Sequence, residues 1–188
     1  MGGMRAFRCL LLGAAILSLG GLLGCSQKAV LERTVSGGST EVLAEFLEDL
    51  RPAWSGEEHA LFETALQELK LQAMNAGVSG VQAREDQMRT AINGRTVREV
   101  LVLGWQARWL RFTRELEDMT ARLERDSALQ VKAKTPESVR FFDNLISNER
   151  DLIVQMKAGR ADAEAKLAAW GADRPPSPEG SPAAAAAP

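Results

Sequence analysis

From Val102 onward the apolar residues recur at alternating steps of three and four: Val102, Trp105, Trp109, Phe112, Leu116, Met119 and Leu123. That spacing holds them on one side of a helix for about three heptads, which predicts a long helix with a packing seam. Thr96-Val97-Arg98-Glu99 is a capping box at its start. Arg111 with Glu115, Arg114 with Asp118, and Asp118 with Arg122 lie four apart on the outer surface, so the arginines there are largely compensated. A second stripe, Val139, Phe142, Ile146, Ile153 and Met156, follows Thr135-Pro136, a cap residue with proline at the first helical position. Glu149 occupies an apolar slot of that stripe. It is expected at the wet edge, the alternative being a buried pair with an arginine that fixes helix register.

Upstream, Thr40 to Leu50 predicts a first helix, capped by Ser39 or Thr40, with Val42, Leu43, Phe46, Leu47 and Leu50 on one face and Pro52 as its stop. Ser55-Gly56-Glu57-Glu58 is another capping box, and Leu61, Phe62, Ala65, Leu66, Leu69 and Met74 form the apolar side of a second helix that Asn75-Ala76-Gly77 ends. Val78 to Ile92 reads as a loop and a short helix stopped by Asn93-Gly94. The last long helix is expected to fray near Gly159, with a further piece from Ala161 to Trp170. The two long helices, joined near Ser127 to Thr135, should form an antiparallel hairpin against which the first two pack. The fold class is all-α: a helical bundle spanning 40–171, a flexible tether at 25–39 whose Val30, Leu31 and Val35 could dock onto the bundle, and a Pro/Ala-rich tail at 172–188 that cannot bury a core.

Composition narrows the chemistry. The chain of 188 residues has a formal net charge of −2, one histidine, two cysteines and no tyrosine. With acids and bases interspersed there is no basic field for nucleic acid. His59 lacks another histidine or cysteine to complete a metal site, and no cofactor is implied. The segment Ile92-Asn93-Gly94-Arg95-Thr96 has neither the spaced glycines nor the lysine of a phosphate loop. Glu57 and Glu58 are a carboxylate pair, but Glu58 is accounted for by the capping box and helix-start acids are favoured by the dipole. The chain is therefore read as non-enzymatic.

Arg5 and Arg8 precede an apolar run from Cys9 to Leu23, the charged and apolar regions of an export signal and short for a spanning helix. The run ends in Leu22-Leu23-Gly24-Cys25, which resembles the lipobox of bacterial lipoproteins in spacing, position and flanks. The resemblance implies a signal peptide at 1–24, cleavage between Gly24 and Cys25, and acyl chains on Cys25. Two or more acyl chains anchor stably, so the membrane would be the first partner. Ser26, where aspartate commonly signals inner-membrane retention, implies the outer membrane facing the periplasm. With Cys9 removed and Cys25 acylated, no thiol remains for a disulfide.

The stretches "SGGSTEVLAEFLEDL", "SGEEHALFETALQEL" and "INGRTVREV" within about 35–107 also resemble an uncharacterised family of small bacterial lipoproteins, which implies a helical fold and the same address. Two function classes follow. One is an interaction module that binds another envelope protein through helix faces; the other binds a small ligand or glycan between helices. Trp105 and Trp109 discriminate: on the seam they belong to the core, but as an exposed pair they would form an interaction surface, where tryptophan is favoured.

Overall fold

A computed structural model describes residues 30–176 of the chain. The segment expected as a signal peptide, with Gly24 and Cys25, and the tail from residue 177 lie outside the described residues. Among the described residues five α-helices are delimited: α1 (Thr40–Leu50), α2 (Gly56–Asn75), α3 (Val81–Ile92), α4 (Val97–Gln130) and α5 (Pro136–Ala169), with a 3-10 turn at Arg51–Ala53. Among the described residues there is no strand, and the fold is all-α as the spacing predicts. The described residues gather into two compact units. One takes the described residues up to Thr64 with Ser79–Leu101; the other takes Ala65–Val78 with the described residues from Val102.

In the first unit, Ser39 caps α1 by accepting the Val42 N–H at 3.2 Å, and Leu43, Phe46 and Leu50 are the buried face. Val42, expected on that face, is 42% exposed. The segment expected as a tether is bound down from Val30 onward. Val30 and Val35 are buried. The Val35 N–H donates to the Arg95 carbonyl at 2.7 Å, while the Gly94 and Val97 N–H groups donate to Val35 and Arg33 at 3.0 and 2.9 Å. Asn93 Oδ1 accepts the Gly37 N–H at 2.9 Å. These are pairings between residues some sixty positions apart, which no local pattern announces. The short helix α3 spans the uncertain 78–92 segment and buries Met88 and Ile92.

The second unit contains the end of α2, most of α4 and all of α5. Gly77, at φ +86°, closes α2: its N–H donates to the Met74 carbonyl and the Val78 N–H to the Ala73 carbonyl at 3.0 and 3.1 Å, the paired bonds of a Schellman turn that a side chain at this φ would strain. Met74, expected in the apolar face, is exposed, and Ala73 is buried in its stead. Thr135 caps α5 by accepting the Ser138 N–H, with Pro136 in the first turn. The expected break at Gly159 does not occur. A Cβ there would stand 2.5 Å from Cζ of Phe112, so the glycine serves close packing inside one continuous helix.

Contacts between α4 and α5 fix their sense. Trp105 meets Trp170, Phe112 meets Gly159, Arg122 meets Glu149 and Gln130 meets Asp143, numbers rising on one helix as they fall on the other. The pair is the antiparallel hairpin expected from the seam, joined by residues 131–135. α2 runs parallel to α4: Ala65 faces Gly104, and Glu68 faces Arg108 and Arg111. The chain after α5 is also held, with Gln106 Nε2 donating to the Asp173 carbonyl at 3.1 Å, so the first residues of the expected tail belong to the body.

Candidate functional site

The residues singled out from the sequence do not converge. His59 sits in the first turns of α2, with Nδ1 3.6 Å from Glu63 and its ring edge-on to Trp54. Ser55 and Glu58 satisfy each other's backbone donors at 2.8 and 3.2 Å, which assigns Glu58 to the cap. Thr96 and Glu99 do the same at the start of α4. Hydrogen bonds from the Thr96 N–H and hydroxyl hold the Glu99 carboxyl below its ordinary pKa. The Asn93-Gly94 turn therefore serves helix ends. Among the described residues no group of three or more His, Cys, Asp or Glu is placed to hold a metal ion.

Trp105 and Trp109 are 3% and 5% exposed. Both indoles are core, as their place on the seam predicts, and the alternative of an exposed interaction surface is set aside: α4 is packed by α2 on one side and α5 on another over this stretch. Burial then falls along the seam, and Phe112, Leu116, Met119 and Leu123 are only half-buried. α2 has ended by Asn75, which lines a cleft with Arg114, and farther along α4 the contacts among the described residues are with α5, Arg122 with Glu149 and Gln130 with Asp143.

The charged centre of the unit is one the periodicity did not single out. Glu68, 4% exposed, accepts from Arg108 Nη1 at 2.9 Å and from Arg111 Nε and Nη2 at 2.9 and 2.7 Å. Arg111 also donates to both oxygens of Glu115 at 3.0 and 3.1 Å. Hydrogen bonding to Glu68, reinforced by Glu115, raises the Arg111 pKa above its already high ordinary value, so the guanidinium stays charged. Both arginines lie over the Phe112 ring, Arg111 at 4.3 Å and Arg108 at 5.1 Å from its centroid. The available signal was a carboxylate three residues after Ala65, in phase with the apolar face of α2, and two arginines one turn apart on α4.

Beside this cluster, Glu68, Gln72, Asn75, Ala107, Arg111 and Arg114 line a cleft of about 30 Å³. That is room for about one water, far below the several hundred Å³ of small-molecule sites.

Glu149 is the second buried carboxylate, at 3% exposure, and not the wet edge residue expected. Its Oε1 lies 3.1 Å from Arg122 Nε, yet neither carboxylate oxygen receives a well-directed hydrogen bond. Burial pushes its pKa above the ordinary glutamate value; hydrogen bonding toward Asp126 and the charge of Asp126 add to the rise, while Arg122 and Arg125 oppose it. The hairpin turns this slot inward, where an arginine and an aspartate of α4 meet it.

Comparison with known proteins gives no matching family model, no matching curated protein and no matching solved structure. No helix of the described residues is long and apolar enough to cross a membrane.

Proposed function

We propose that this chain is a lipoprotein of the bacterial cell envelope, anchored by acyl chains on Cys25, and that its helical body is a non-catalytic interaction module. The observation that carries the reading is Leu22-Leu23-Gly24-Cys25 at the end of an apolar run preceded by Arg5 and Arg8. The position of the body agrees with it. Val30 is already 5% exposed, so only residues 26–29 separate Cys25 from packed chain. Even fully extended, that span reaches on the order of 15–20 Å, which would keep the body at the membrane surface. Ser26 favours the outer membrane, facing the periplasm. Glu58, Glu99, Glu68 and Glu149 are engaged in caps and ion pairs, which supports binding through surface rather than chemistry.

Mass spectrometry of the membrane fraction tests the anchor. The amino-terminal peptide of the wild type should begin at an acylated Cys25, and Cys25→Ser should abolish both cleavage and acylation. An unacylated wild-type chain overturns the reading.

A further inference from the structure

Exposed large apolar side chains stand mostly apart along the described residues, but four gather at the end of the α4–α5 hairpin. Leu129 is 48% exposed, Val131 86%, Val139 37% and Phe141 61%. Phe142, half-buried, meets Phe141 edge-on with centroids 5.4 Å apart. Between them the chain reads Val131-Lys132-Ala133-Lys134, with Arg140 one turn into α5, and all three cations are exposed. Glu137 and Asp143 are the acids of this stretch, and Asp143 accepts a hydrogen bond from Gln130. The tip thus carries a local excess of positive charge in a chain whose net charge is −2.

Among the described residues no third helix of this unit covers the hairpin end, and Val131 and Phe141 stand open to solvent. Cations after the end of α4 are favoured by the helix dipole, but that does not account for apolar side chains left in water. Alternation of apolar and basic residues at a projecting turn matches one surface chemistry well. The apolar groups enter the headgroup and acyl boundary while lysine stems lie along it with their ammonium groups at the phosphates. We propose that this tip is a membrane-docking element for anionic lipid surfaces, with Val131 and Phe141 inserted and Lys132, Lys134 and Arg140 on the headgroups. The proposal goes beyond acylation at Cys25 and stands without it.

The test is hydrogen exchange of the full chain reconstituted in vesicles of phosphatidylcholine alone or of phosphatidylcholine with phosphatidylglycerol. Amides of 127–143 should exchange more slowly in the anionic vesicles only, with amides at 152–163 of α5 unchanged. Salt should reverse the effect. Lys132→Gln should weaken the lipid-dependent protection about fivefold, and Val131→Ser with Phe141→Ser should remove it; both apolar positions are exposed, so the fold survives their loss. Equal exchange in the two vesicles overturns the proposal. So does protection that follows the protein-to-lipid ratio, which would mean a second copy covers the tip. Acylation of Cys25 is read by mass in the same samples, and the measurement is repeated on Cys25→Ser, so docking without acyl chains or acyl chains without docking separates the two proposals.

Discussion

Glu68 and Glu149 are carboxylates of almost equal burial in one unit, and they are provided for in opposite ways. Glu68 lies where α2 faces α4, and two arginines reach it with three directed hydrogen bonds. Glu149 lies in the two-helix part of the hairpin, where Arg122 approaches one oxygen and Asp126 presents a like charge. A buried charge is tolerable where the facing helix brings two guanidinium groups one turn apart to both of its oxygens; one arginine beside a like charge encloses it without completing it. The end of α2 also separates a stretch holding buried Trp105 and Trp109 from one whose seam residues are half-buried.

The largest expected effect tests the completed site. Glu68→Gln should lower unfolding stability in urea by about 3 kcal/mol, since Arg108 and Arg111 lose their charged acceptor in a partly buried setting. A change near zero would mean that the ion pairs contribute nothing and that the contrast is one of packing only.

The next effect tests how closely the third helix approaches. In Gly104→Ala the new Cβ would stand 2.4 Å from Cα of Ala65, so the helices must separate. Overpacking of that kind costs ~1–3 kcal/mol and outweighs the gain in helix propensity of about 1 kcal/mol. Gly159→Ala meets the end of the Phe112 ring, which can turn away. Its change should stay within about 0.5 kcal/mol, as that gain offsets the ring's displacement. Equal losses at the two glycines would erase the distinction between the regions.

The smallest effect has the opposite sign. Because the folded-state pKa of Glu149 is raised, the folded chain prefers the protonated acid. Its favourable contribution is complete below the ordinary glutamate value and is lost as pH rises through the raised one. Glu149→Gln should therefore stabilise the protein near pH 7 by about 1 kcal/mol or less, and the advantage should vanish in acid. Urea midpoints of both proteins across the acidic range decide it. A variant less stable than wild type at neutral pH would show that the Arg122 contact outweighs the desolvation of the carboxylate.

The sequence by itself determined the helices and their ends. Capping at Ser39, Ser55, Thr96 and Thr135 and the turn at Gly77 depend on residues within five positions, and the three-four spacing of Val102 to Leu123 required a long helix with a partner. The antiparallel sense of that partner followed from the short connection before Pro136. Tertiary structure alone decided which parts of each stripe are covered, because coverage depends on where another helix ends. That is why Trp105 is core while Leu123, in the same phase, is half-exposed. It also decided that Gly159 packs against a ring instead of breaking a helix, that Val35 pairs with Arg95 across sixty positions, and that Glu68 finds two arginines while Glu149 finds one. Helix periodicity records which side of a helix is apolar. It carries no record of the neighbour's length, and the fate of a charge in that side is set by the neighbour.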